Sequence, residues 1–240
     1  MEKLSAGVEK LGYRLTSKQL SQFELYYSKL SKWNQRINLT AITEYEEVQI
    51  KHFLDSLTVT MAFHHLKGNP PAKVIDIGTG AGLPGIPIKI MMPQVQLTLV
   101  ESISKKTTFL QYIINELNLK DVDILTARAE DIGHDETYRG KFDIVLSRAV
   151  AALPTLLELT LPFCRTGGIF IAQKQDRAKF EIDRAAKAIR VLGGVLLEII
   201  DIDLPEFTDH RCLFVFGKIS STIEQYPRRA GIPLKNPIIY

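Results

Sequence analysis

From residue 72 onward, short apolar runs alternate with longer segments whose apolar residues recur every three or four positions. The runs at 73–77, 97–100, 122–126, 142–147 and 169–173 read as strands, and the periodic segments between them as amphipathic helices. One helix is expected over 85–92, with Pro87 tolerated in its first turn. A second, over 104–117, carries Phe109, Leu110, Ile113, Ile114 and Leu117, with Ser104 as its cap. Two more are expected over 153–163 and 179–192, the latter ending at Gly193-Gly194. The apolar stretches 195–202 and 212–218 come next with only a Pro-containing loop between them, so they pair antiparallel. The pattern predicts an α/β fold with a seven-stranded, mostly parallel sheet and one antiparallel strand.

Ahead of this lies an N-terminal helical extension, 1–70. Leu20, Phe23, Tyr27, Leu30 and Asn34 form one stripe of a helix capped by Thr16 or Ser17. Thr43-Glu44-Tyr45-Glu46 has the form of a capping box. It opens a second helix through Ile50, Phe53, Leu54 and Leu57, with His52, Asp55 and Ser56 near one face. Asn34 to Thr40 form a polar loop between the two, and Gly68-Asn69-Pro70-Pro71 breaks the chain before the first strand. The expected division is 1–70, a ligand-binding domain over 71–219, and a tail over 220–240.

Composition changes this picture only at the tail. The chain has 240 residues and a formal net charge of +3. Beyond residue 216, Lys218, Arg228, Arg229 and Lys235 face only Glu224, so this segment carries the whole excess. A basic terminal arm approaches phosphates, or else is a solvated tail that aids solubility. Cys164 and Cys212 lie far apart in apolar contexts, which makes neither a disulfide framework nor a metal quartet. No secretory signal and no bilayer-spanning run is expected. His64-His65 has no cysteine or carboxylate nearby at ligand spacing, so no metal site is expected.

The chemistry is expected at the ends of the strands. Gly78, Gly80 and Gly82 close the run Val74-Ile75-Asp76-Ile77 in a GxGxG turn, where a ligand can approach the backbone. The dinucleotide fingerprint is GxGxxG, one place longer. The alternative is a tight strand–helix turn without a ligand. Glu101 ends the second strand, 23 residues beyond Gly78, where a carboxylate accepts hydrogen bonds from ribose hydroxyls. It fits S-adenosylmethionine (SAM) or NAD alike and disfavours NADP; a solvated strand-end Glu is the alternative. Ala129-Glu130-Asp131 stand where an adenine amino group would be received, or form a plain polar loop. Arg148 ends the fourth strand, facing a cofactor or a guanine edge, or pairing with Glu130 or Asp131. No Asn/Asp-Pro-Pro-Tyr/Phe motif follows that strand. Cys164 reads as core, so cysteine nucleophilic catalysis is not expected. His52 is either a general base or a packing residue.

A mainly parallel sheet with one reversed strand resembles the Rossmann-like fold of class I SAM-dependent methyltransferases. The resemblance becomes specific in Asn38-Leu39-Thr40, Lys51-His52-Phe53-Leu54-Asp55-Ser56-Leu57, the IDIGTGAGLPGIPIKI segment, Arg128-Ala129-Glu130, Ser147-Arg148-Ala149-Val150 and Tyr226-Pro227-Arg228-Arg229-Ala230-Gly231-Ile232-Pro233. In this order and spacing these closely resemble the RsmG (GidB) family over essentially the whole chain. That resemblance implies a cytoplasmic bacterial enzyme, expected to act as a monomer, that transfers a methyl group from SAM to N7 of one guanine in 16S rRNA of the small ribosomal subunit. It carries the SAM site onto Gly78, Leu83, Ala129, Glu130 and Arg148, beside Gly80, Gly82 and Glu101. Many relatives have Phe at the position of Leu83. Arg148 and Lys174 are the implied catalytic contacts, approaching guanine O6 or a phosphate. Arg36, Asn38, Lys51, His52, Tyr226, Arg228 and Arg229 are the implied RNA contacts. Neither metal nor membrane is implied.

Overall fold

A computed structural model describes residues 1–66, 72–148, 151–175 and 178–239. The 68–71 break and the pair Ala149-Val150 lie outside the described residues. Seven strands form one sheet: β1 (Lys73–Ile77), β2 (Gln96–Glu101), β3 (Val122–Thr126), β4 (Phe142–Arg148), β5 (Cys164–Gln175), β6 (Gly194–Asp201) and β7 (Arg211–Lys218). Their order is β3-β2-β1-β4-β5-β7-β6. β7 runs antiparallel to both β5 and β6, and the other neighbours pair in parallel.

Strand alternation divides the interior in two. Ile144 and Leu146 of β4, Ile169 and Ile171 of β5, and Leu213 and Val215 of β7 face one cluster. Val145, Phe170, Ala172, Phe214 and Phe216, one position out of step, face the other. This is the period of two that puts successive side chains on opposite faces. The first cluster takes in Leu4, Val8, Phe23, Tyr26, Phe53 and Leu57, so the N-terminal extension shares a core with the sheet. The second is filled from helices Leu153–Thr160 and Ala178–Val191.

The extension differs from the expected pattern in three details. Helix Ser17–Asn34 starts at Thr16, whose capping box with Gln19 is complete. Its core stripe is Phe23, Tyr26 and Leu30, and Tyr27 is only half-buried. The next helix begins at Tyr45, with Glu44 rather than Thr43 at the cap and no side-chain cap bond. It then changes pitch: Val48–Leu54 is π-helical, Asp55–Leu57 returns to α, and Thr58–His65 tightens to 3₁₀. Residues 52–60 are all buried, so this segment is enclosed and presents no wet face. Farther on, helix Ser104–Glu116 has Ile103 at its cap rather than Ser104.

Candidate active site

β1 lies where the strand order reverses, between β2 and β4. Such a switch point opens a crevice beyond the carboxyl ends of the strands. The glycine turn lies in it. Gly78 and Thr79 donate their N–H groups to Val100 O at 2.9 and 3.1 Å, fastening the turn to β2. Gly78 and Gly80 have φ of 71° and 60°, the left-handed region that a Cβ disfavours. Asp76 ties the turn from below: its Oδ2 accepts from Thr79 Oγ1 at 2.6 Å and from Gly85 N–H at 2.9 Å. Burial pushes the Asp76 carboxyl up to about 6 against these bonds. Tyr26 of the extension donates its hydroxyl to Ala81 O at 2.6 Å, so a buried phenol buttresses the loop from the other side.

Glu101 stands at the mouth of β2 and is only 6% exposed. Its Oε2 accepts from Gly80 N–H at 3.1 Å and its Oε1 from Ile103 N–H at 2.9 Å. Each carboxylate oxygen keeps a further lone pair, so the pair fits the two hydroxyls of a ribose. In front lies a cavity of ≈ 200 Å³, lined in part by Gly78, Glu101, Ala129, Glu130, Thr155 and Gly231. Ala129 and Glu130 open a short helical turn, Ala129–Ile132, where a plain loop was the alternative. Glu130 Oε1 accepts from Gly231 N–H at 3.0 Å, which brings the tail over the cavity.

Of the predicted cofactor residues, Gly78, Glu101, Ala129 and Glu130 line this cavity. Gly80 supports it through Glu101. Gly82 and Leu83 turn into the core instead: a Cβ on Gly82 would meet Ile86, and Leu83, 5% exposed, joins the first hydrophobic cluster. An aromatic ring at Leu83 would thus bear on the core, not on a ligand.

Arg148 belongs to a second, adjoining group. Its expected partners, Glu130 and Asp131, are not the ones it takes. Nη1 donates to Asp55 Oδ2 at 3.0 Å and to Lys51 O at 3.3 Å. The other oxygen of Asp55 holds Arg211 of β7 at 2.7 Å. A buried carboxylate from the π-to-α junction therefore clasps two guanidinium groups from two strands. Gln173 of β5 donates to Asp55 O at 2.6 Å, while its Oε1 has no partner among the described residues.

His52 lies one helical step away, with Nε2 at 2.7 Å from Thr40 Oγ1 and Nδ1 at 3.1 Å from Lys51 O. Burial, aided by the nearby Arg148, brings its pKa down to about 4. The ring is neutral at pH 7 and serves as a link between helix and loop. Asn34 shapes that loop: Oδ1 accepts from Leu39 and Thr40 N–H, and Nδ2 donates to Thr40 O. Arg36 and Asn38 are left exposed on it, and Lys51 pairs with Glu47 at 2.6 Å.

The tail is not a free basic arm. Arg228, expected at RNA, is bound by Glu158, a carboxylate with no exposed surface, at 2.6 Å from Nη2 and 2.9 Å from Nε. Glu158 sits among leucines in helix Leu153–Thr160 and needs this cation. Arg139 reaches Tyr226 O and Thr222 O, and His134 reaches Pro227 O. Tyr226 is half-buried against the second cluster, and Arg229 remains exposed. Lys174 is occupied by Glu181 at 2.9 Å and Ala151 O at 3.1 Å. Burial pushes the Cys164 thiol up to about 12, so it is no thiolate nucleophile.

Known proteins resemble this chain at two levels. A family model described as "GidB: rRNA small subunit methyltransferase G" matches residues 19–206. "Ribosomal RNA small subunit methyltransferase G" of Dehalococcoides mccartyi (strain CBDB1) is 50% identical over 239 residues, covering all of both chains. The protein of the same name from Pelotomaculum thermopropionicum is 47% identical over 99% of this chain and 98% of its own. Among solved structures, precorrin-6y C5,15-methyltransferase from Geobacter metallireducens superposes with a TM-score of 0.50 at 12% identity, over 77% of this chain and 92% of that one. At that identity the likeness speaks for the fold alone.

Proposed function

The chain belongs to the rRNA small subunit methyltransferase G family, and on that premise we propose that it transfers a methyl group from SAM to N7 of a guanine in 16S rRNA. Glu101 is the observation that carries the cofactor half of this reading. It is a buried carboxylate at the end of β2 that lines a cavity starting at a glycine turn, with Lys106 Nζ 3.8 Å from its Oε2. Gly78, Glu101, Ala129 and Glu130 are the residues that would hold SAM, with Gly80 fixing Glu101 from behind. When bound, SAM supplies an electrophilic methyl group on a sulfonium.

The protein's own part is then mainly positional. Guanine N7 carries a lone pair and no proton, so no base is required. The neutral His52 and the buried Cys164 agree with a site that moves no proton and forms no covalent adduct. Orientation can supply the rate by holding N7 in line with the methyl group. Arg148, held by Asp55 at the end of β4, has the kind of guanidinium donor that meets guanine O6. Lys174 can join it on the acceptor side once released from Glu181. Reading one base requires it to leave its stack. The exposed residues Arg36, Asn38 and Arg229, with Lys51, are the proposed backbone contacts. This reading places the enzyme with ribosomes in the cytoplasm. Among the described residues no helix is long and apolar enough to cross a membrane.

The test is transfer of label from SAM to small subunits prepared from cells lacking the modification. Label is expected in 16S rRNA with the wild-type chain and is lost with Glu101→Ala. Label in a protein, or none, would defeat the reading.

A further inference from the structure

The sheet edge farthest from β3 carries a feature that methyl transfer does not use. β6 pairs with β7 through an irregular register: Leu196 opposes Phe216, and Glu198 opposes the next residue, Val215. Leu197 is therefore extra, and the strand bulges. The bulge reverses the facing of the residues beyond it. Leu196 packs on the second cluster, and regular alternation would put Glu198 on that side too. Instead Glu198 stands opposite Val215, whose side chain belongs to the first cluster, the side covered by the N-terminal extension.

On that side the 3₁₀ helix Thr58–His65 ends in two adjacent histidines. His65 Nε2 lies 2.7 Å from Glu198 Oε2, and His64 Nε2 lies 3.4 Å from the same oxygen. The two rings lie tilted against each other at 37°, with centroids 4.1 Å apart. One ligand atom from each residue falls within 4.8 Å of the others. His64 Nδ1 is 2.8 Å from Met61 O, so that nitrogen is committed to the carbonyl and Nε2 is the one left to ligate. This is the outer partner that metal-bound histidines ordinarily have.

We propose that His64, His65 and Glu198 form a three-ligand site for a divalent transition ion of the zinc class, pinning the end of the N-terminal extension to the bulged edge strand. Tetrahedral zinc with bonds of about 2.0–2.2 Å holds its ligand atoms roughly 3.3 Å apart. The His64–Glu198 distance already meets this, and the shorter His65–Glu198 contact has only to open slightly. Two imidazole nitrogens and one carboxylate select zinc, nickel or copper over magnesium and calcium, which take oxygen ligands. The side chains of His64, His65 and Glu198 are 62%, 21% and 43% exposed, so an ion has a way in, and a fourth position stays open to water. Both cysteines are buried and do not compete for it. An edge strand is the part of a sheet most in need of cover, and among the described residues β6 has no neighbour beyond it.

Calorimetric titration of the tag-free, chelator-stripped full chain with zinc chloride tests this, with magnesium chloride as the counter-titration. One zinc per chain is expected, with a rise in melting temperature and no comparable magnesium heat. Loss of even an outer-shell partner costs about 10–100-fold in affinity, so His65→Gln and Glu198→Gln should each weaken zinc binding by at least that much. His64→Gln, at the most exposed position, gives the same readout where a neighbour's variant fails to fold. Zinc affinity unchanged in the three variants, no zinc bound by the wild-type chain, or magnesium bound as tightly as zinc would each overturn the site.

Discussion

Glu101 and His52 show how burial assigns roles to ordinary side chains. Glu101 is held by two backbone N–H groups and lines the cavity. Charge-assisted hydrogen bonds of this kind contribute about 1.5–3 kcal/mol each. Glu101→Gln is therefore expected to weaken SAM binding by about one to two orders of magnitude in calorimetry, and an unchanged affinity would remove Glu101 from the site. His52 is the opposite case, a titratable group kept uncharged. Its folded pKa, about 4, lies below that of a free imidazole. As pH falls from about 6.5 toward 4 the unfolded chain takes up this proton first, so stability is lost over that window. Titration of the His52 ring by NMR should place its midpoint well below 6. A midpoint near 6.5 would show the ring to be solvated.

At the scale of elements, the tail behaves as a strap rather than an arm. Arg228 neutralises the fully buried Glu158, whereas Arg229 faces solvent. The two neighbouring cations should separate cleanly. Arg228→Ala strands a buried carboxylate and should cost about 3–5 kcal/mol in urea denaturation. Arg229→Ala should leave stability alone and reduce the salt slope of RNA binding by about 1. Equal effects of the two on stability would refute this division. The sequence carried a signal for the strap: Glu158 is a lone acid in an apolar helix and had to find a cation. Charge counting saw only the cation. The strands were legible because buried parallel strands read as unbroken apolar runs. The π segment was not, since its turn departs from the 3.6 period that a helical stripe assumes. Tyr26 hid behind Tyr27 for a different reason: in the regular α-helix Ser17–Asn34 either residue fits an i+3/i+4 stripe between Phe23 and Leu30.

Across the whole molecule, Asp55 joins the extension to the sheet. It is 4% exposed and holds Arg148 of β4 and Arg211 of β7. An acid inside Phe53-Leu54-Asp55-Ser56-Leu57 announces a buried partner, yet no local spacing reveals that the partners lie 93 and 156 residues away. Asp55→Ala leaves Arg148 without its carboxylate, whereas Arg211 keeps Asp209 at 3.0 Å. It should destabilise the fold by about 3 kcal/mol, the low end for a broken buried pair, and should lower methyl transfer more than SAM affinity. A variant of wild-type stability would show the clasp to be decorative. The glycine turn and Glu101 were legible because they are local. The clasp, the strap and the bulged edge depend on register between distant segments.

On the proposed reaction, the cavity at the β1/β2 end delivers a methyl group to one guanine nitrogen. The most direct measurement is mass spectrometry of nuclease-digested 16S rRNA after incubation of unmodified small subunits with the purified chain and SAM. A single 7-methylguanosine at one position is the predicted result. Methyl on another atom, at scattered positions or only on ribosomal proteins would contradict it.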